Sequence, residues 1–66
     1  MKLNKTKLEM KMAKACMNPY DVAEKAGLNY QTVRKATNGT SLKPKTAGLI
    51  AAALGVDVSE IVEMGD

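Results

Sequence analysis

The sequence predicts an all-α fold, a compact arrangement of five short helices, on three observations. The first is a start signal used four times. Leu3-Asn4 with Leu8, Met17-Asn18 with Val22, Leu28-Asn29 with Val33, and Val56-Asp57 with Ile61 each place an Asn or Asp at a helix N-cap. An apolar residue precedes each cap and another follows four positions later, so the cap side chain accepts from an orphan backbone N–H while the two hydrophobes fix the chain's entry angle. The second is a matching set of stops at Gly27, Asn38-Gly39 and Gly55, residues that tolerate the left-handed conformation ending many helices. The third is that no stretch alternates apolar and polar residues far enough to make a strand, and no internal repeat is present.

Taken in order, the first helix is expected near residues 4–16, opened by Asn4. The second, near 19–26, has Pro19 where a first-turn proline costs no hydrogen bond, and Asp21 three residues after its cap, where a carboxylate completes a capping box. Asn29 is expected to cap the third helix, near 30–37. A loop over Thr40-Ser-Leu-Lys43 then leads to Pro44 and a helix near 45–54, whose inward stripe is read as Thr46, Leu49, Ile50, Ala53 and Leu54. Gly48 inside that helix costs about 1 kcal/mol relative to Ala, which points to a close approach of another helix or of a DNA backbone. Asp57 and Glu60 mark a fifth helix, near 58–63.

Composition bounds the function classes. Residues 1–66 are expected to form one domain, and a chain so short buries only about 60% of its unfolded surface, so stability should be modest. With no Trp or Phe, the core must be built from Leu, Val, Ile, Ala and five Met. Met fills irregular gaps but specifies geometry poorly. The single cysteine, Cys16, has no partner for an internal disulfide and no His beside it, so it is read as a small buried hydrophobe. These features fit a reducing, cytoplasmic setting and offer no zinc or other metal site. Neither a nucleophile dyad nor a phosphate-cradling glycine loop is present, so neither an enzyme nor a cofactor is expected. The longest apolar run, Ala47 to Leu54 interrupted by Gly48, is far short of the roughly 20 residues of a membrane span. Lysines interrupt the N-terminus, which does not resemble a signal peptide.

Charge is divided along the chain. Residues 1–45 hold all ten Lys and Arg against three acids, whereas residues 46–66 hold four acids and no base. A basic N-terminal part suits a polyanion, since phosphate attraction supplies most sequence-independent affinity for DNA. Lys5, Lys7, Lys11 and Lys14 of the first helix fit equally well as a solvated face. The third helix is more informative. Val33, Ala36 and Thr37 fall on one side at helical spacing, and Tyr30, Gln31, Arg34 and Lys35 fall toward the other. Those four are of the kinds that read base edges in a major groove. With the short helix before it and the turn at Gly27, the segment reads as helix, tight turn, helix.

Val22-Ala23-Glu24-Lys25-Ala26-Gly27-Leu28-Asn29, then Thr32-Val33, Asn38-Gly39 and Ala52-Ala53-Leu54-Gly55-Val56, resembles the Cro and phage-repressor type of helix-turn-helix protein, the lambda-repressor-like fold. The resemblance runs from about Leu8 to Val62. It implies that the third helix lies in the major groove of double-stranded DNA with Tyr30, Gln31, Arg34 and Lys35 nearest the bases, Gln31 pairing with adenine and Arg34 with guanine. It further implies phosphate contacts from Asn18 and Tyr20 at the start of the second helix and from Asn38, Thr40, Lys43 and Lys45 around the loop after the third. Two departures stand out. Pro19 occupies the position where relatives often carry a phosphate-contacting Gln. Met12 and Thr37 stand where many relatives pair an Arg with a Glu, and replacing both partners avoids stranding a buried charge.

The function expected is that of a sequence-specific transcriptional regulator, a repressor of phage or mobile-element type that occupies an operator. The alternative is an antitoxin-like interaction module that uses the same fold to bind a protein. A membrane-surface role is disfavoured because the first helix lacks a bulky apolar face. No small-molecule ligand is expected. One recognition helix covers only a short half-site, so a weak homodimer is expected, formed through the C-terminal helix with Ile61, Val62 and Met64 as its apolar surface.

Overall fold

The computed structural model describes residues 1–63. Met64, named above as part of a dimer surface, lies outside the described residues. Four α-helices follow in order: α1 (Lys5–Lys14), α2 (Pro19–Ala26), α3 (Tyr30–Thr37) and α4 (Pro44–Leu54), then a single 3-10 turn at Val58–Glu60. The fold is all-α, with four helices in place of the five expected.

Capping chemistry explains most of the starts. Asn4 Oδ1 accepts from the Lys7 N–H at 2.9 Å. Asn18 and Asp21 form a reciprocal box, Asn18 Oδ1 accepting from Asp21 N–H at 2.9 Å and Asp21 Oδ2 from Asn18 N–H at 3.0 Å. Asp57 accepts from the Ser59 N–H and hydroxyl, and Glu60 Oε2 from the Asp57 N–H at 3.0 Å. The starts of α3 and α4 lack such a cap: Lys43 precedes α4 without a side-chain cap hydrogen bond, and Asn29 departs from expectation. It occupies the N-cap position of α3 with extended backbone but makes no side-chain cap hydrogen bond.

All four helices stop by the same device. A backbone N–H just past the helix end reaches back to the carbonyl five positions earlier: Met17 to Met12, Leu28 to Ala23, Thr40 to Lys35 and Val56 to Ala51, at 2.9–3.1 Å. This geometry requires a left-handed residue just before that donor. Gly27, Gly39 and Gly55 supply it in three cases, and in α1 it is Cys16, at φ +57°. That explains two departures from the sequence reading. α1 ends at Lys14 because Ala15 and Cys16 belong to its terminator, and Cys16 is exposed rather than buried. A side chain at positive φ costs roughly 1–2 kcal/mol. Cys16→Gly should therefore raise stability by about 0.5–1 kcal/mol after the added freedom of the unfolded chain is discounted. A thermal unfolding midpoint at or below that of the parent protein would contradict this.

The core is one cluster of thirteen buried residues, all apolar, drawn from every helix and both ends of the described chain. Leu8 and Met12 of α1 meet Val22 and Ala23 of α2, Val33 and Ala36 of α3, and Ala47, Ile50, Ala51, Ala53 and Leu54 of α4. The inward face of α4 is rotated toward Ala47 and Ala51, leaving Thr46 and Leu49 only half-buried at its margins. Gly48 is exposed, and a Cβ built on it would meet no atom within 4 Å. The close helix–helix approach inferred from it is therefore absent. Met12 is 6% exposed and Thr37 donates its hydroxyl to the Arg34 carbonyl of its own helix at 2.8 Å. No buried polar or charged residue occurs among the described residues, so packing rather than an ion pair joins α1 to α3.

The C-terminal part departs most from expectation. The predicted fifth helix is a three-residue 3-10 turn, after which Ile61 enters the core with no exposed surface and Val62 is half-buried in an antiparallel bridge with Leu3. Leu3 is itself fully buried. Ile61 is thus unavailable to a dimer interface, and a C-terminal helix to carry one is absent among the described residues. The turn is tied back to α1 by Lys11 Nζ and Glu60 Oε1 at 3.3 Å. Hydrogen bonds from Ser59 hold the Asp57 carboxyl below its ordinary pKa, and the Asp57 N–H together with Lys11 does the same for Glu60. A carboxyl depressed in the folded state stabilises above its unfolded pKa, and that stabilisation is lost as pH falls through the folded value. Stability should accordingly be flat above pH ~5 and decline below the ordinary carboxylate pKa of about 4. Asp57→Asn with Glu60→Gln should flatten the decline; an unchanged acid limb in urea titrations would place its origin elsewhere.

Candidate nucleic-acid interface

α2 and α3 are joined by the three-residue turn Gly27-Leu28-Asn29, with the half-buried Leu28 packed against the core. This sets α3 with Val33 and Ala36 fully buried and Gln31, Arg34 and Lys35 exposed on the other side. An eight-residue helix with so sharp a division has one face committed to packing and one available to a partner. Among the described residues, the side chains of Gln31, Arg34 and Lys35 make no hydrogen bond or ion pair within the chain.

Tyr30 differs from these three. Its ring is stacked on that of Tyr20, centroids 3.9 Å apart and planes 5° from parallel. The chain's two aromatic residues thus join the first turn of α2 to the first turn of α3. Tyr30 is half-buried by the contact while Tyr20 remains 62% exposed. The sequence reading named both residues but had no signal for their pairing, which depends on the angle between the helices.

The residues expected at phosphates fall into two groups. At the start of α2, the exposed Asn18 uses Oδ1 to cap the helix, and its side-chain amide N–H groups make no hydrogen bond among the described residues. Around the turn after α3, Asn38, Thr40, Lys43 and Lys45 are all exposed. Lys43 is the N-cap residue of α4 and Lys45 lies in its first turn. Neither α3 nor α4 has a side-chain cap or an acidic residue in its first turn, whereas α2 and the 3-10 turn have both. Uncapped N-terminal N–H groups carry partial positive charge that favours an anion. At α4 two lysines add to it. Asn29, exposed at the start of α3 with its side chain making no cap hydrogen bond, is a further residue of this kind, which the sequence assigns to capping.

A metal-binding group of three or more His, Cys, Asp or Glu is absent among the described residues, and no described helix is long and apolar enough to cross a membrane.

A short helix, a three-residue turn and a second helix with an outward polar face define a helix-turn-helix protein. Residues 7–66 match the family model described as the Cro/C1-type HTH DNA-binding domain, and the chain belongs to that family. No curated protein and no solved structure matches it significantly.

Proposed function

We propose that the protein is a sequence-specific transcriptional regulator, a repressor of phage or mobile-element type that acts by occupying an operator. The observation that carries this reading is the outer face of α3, where Gln31, Arg34 and Lys35 stand exposed opposite the buried Val33 and Ala36. In the major groove, Gln31 suits adenine and Arg34 suits guanine, each through two parallel hydrogen bonds. Lys35 supplies a third donor to bases. Tyr30, held against Tyr20, offers its ring edge to a thymine methyl and its hydroxyl to the groove wall.

Phosphate contacts set the register: the Asn18 amide and the Tyr20 hydroxyl on one side, and Asn38, Thr40, Lys43 and Lys45 on the other. Asn29 joins them at the uncapped start of α3. The protein binds as a two-fold pair, because one α3 covers only a short half-site and two copies about 34 Å apart read the same face of the duplex. Selection of bound sequences from random duplex DNA tests the whole reading, and a recovered palindrome is the expected result. Recovery of no consensus, with tight binding of a protein partner instead, would favour the antitoxin-like alternative.

A further inference from the structure

We propose that residues 1–4 form a clasp that positions the loop after α3, with Leu3 as its anchor, so that the N-terminal segment controls the phosphate grip without touching DNA itself. The proposal rests on the DNA-binding reading above for its functional part alone. Three hydrogen bonds hold the segment in place. The Met1 carbonyl accepts from Leu42 N–H at 2.6 Å, the Lys2 carbonyl from Glu63 N–H at 2.9 Å, and the Asn4 N–H donates to the Ile61 carbonyl at 2.7 Å. The Met1 nitrogen also donates to Ser41 Oγ at 3.1 Å and to the Leu42 carbonyl at 3.0 Å. One face of the clasp is thus fixed to residues 61–63 and its end to residues 41–42.

The loop has little else to hold it. After Thr40 N–H closes the end of α3 on Lys35, the described backbone hydrogen bonds from Ser41 to Lys43 are those with Met1 and the one that Lys43 accepts from Ala47 at the start of α4. Leu42 packs half-buried against the core, while Ser41 and Lys43 on either side of it are exposed. Leu3 is fully buried in the same core. The position of Lys43 and Thr40 relative to α3 is therefore set through a chain of contacts that ends at Leu3. A loop held in this way presents its phosphate donors ready placed; a released loop must be ordered on binding.

The test measures binding of a fluorescent duplex of random sequence across a salt series, for the parent protein, Leu3→Ala, Leu3→Met, Lys43→Ala and the Leu3→Ala/Lys43→Ala double variant, at a temperature where circular dichroism shows each to be folded. Loss of one phosphate contact lowers the slope of log K against log salt by about one unit. Leu3→Ala should lower it by about that amount, Lys43→Ala likewise, and the double variant by no more than either alone; Leu3→Met should restore it. Mere destabilisation reduces the active fraction and leaves the slope unchanged, so a parental slope in folded Leu3→Ala overturns the proposal. Amide exchange decides the coupling independently of DNA. The Leu42 N–H should lose protection in Leu3→Ala while Val33 keeps it, and retained protection at Leu42 overturns the clasp. If the parent protein binds no duplex, the DNA-binding reading fails and the exchange result alone decides the clasp. Should Leu3→Ala not fold, a synthetic chain with an ester in place of the Leu42 amide removes the hydrogen bond to the Met1 carbonyl and takes its place in the salt series, where a parental slope overturns the proposal.

Discussion

Ile61→Ala should cost about 2–5 kcal/mol, the range for deleting a fully buried Ile side chain when the surroundings relax only partly. Ile61 has no exposed surface and is one of the six largest fully buried side chains among the described residues. At about 0.05–0.15 kcal/mol per residue, a domain of this size has roughly 3–10 kcal/mol in total, so the variant loses a large share of its stability. For a small domain each kcal/mol moves the midpoint by about 4–8 °C, and a fall of at least about 10 °C is expected. The protein-concentration dependence distinguishes the two possible roles of this residue. A core residue destabilises equally at all concentrations, whereas an interface residue has its effect through mass action. A loss that disappears on dilution would return Ile61 to the dimer surface that the sequence suggested. Val62→Glu, at the half-buried neighbour, should by comparison cost little.

The contrast between Ile61, buried after the 3-10 turn, and the capped starts explains what the sequence could disclose. The starts at Asn4, Asn18 and Asp57 were legible because the cap, its N–H partner and any returning carboxylate lie within three residues of one another. Gly27, Gly39 and Gly55 were legible because positive φ selects glycine. Cys16 performs the same task without a distinguishing residue type, and only its positive φ and the Met17-to-Met12 hydrogen bond in the fold reveal it. The end of the chain was misread for a different reason. Val58 to Glu63 satisfies local helix rules, yet the bridge between Leu3 and Val62 and the burial of Ile61 draw it out of the helix after one turn. That pairing joins opposite ends of the chain, and no local pattern announces it.

The candidate interface was legible to a similar extent and for the same reason. The side of α3 carrying Gln31, Arg34 and Lys35 follows from helical periodicity alone. The stacking of Tyr30 on Tyr20 and the uncapped state of Asn29 depend on how α2 and α3 are placed, which periodicity does not specify. Asn29 shows the consequence. Removal of an N-cap side chain would cost about 0.5–2 kcal/mol if it made the cap hydrogen bond; without that bond, most of the loss is expected in DNA affinity instead.

Arg34→Ala should weaken binding to the selected operator by about 1–3 kcal/mol, or roughly 5- to 150-fold, and relax preference at one base position of each half-site. The side chain is exposed on the outer face of α3 and makes no ion pair among the described residues, so its removal should leave the unfolding midpoint within the small range of ordinary surface changes, about ±0.5 kcal/mol. A guanidinium bidentate to guanine loses two hydrogen bonds and leaves the base acceptors unpaired, which makes the penalty specific to that base. In a dimer both half-sites lose the contact, and the effect lies toward the upper end of the range. Lys35→Ala, which gives up a single flexible donor, should cost less. The informative measurement is the ratio of affinities for operator and random duplex at one salt concentration. If Arg34→Ala weakens both by the same factor and lowers the salt slope by about one unit, Arg34 is a phosphate contact and base reading on α3 falls to Tyr30, Gln31 and Lys35. A fall in that ratio with an unchanged salt slope on random DNA identifies Arg34 as a base reader.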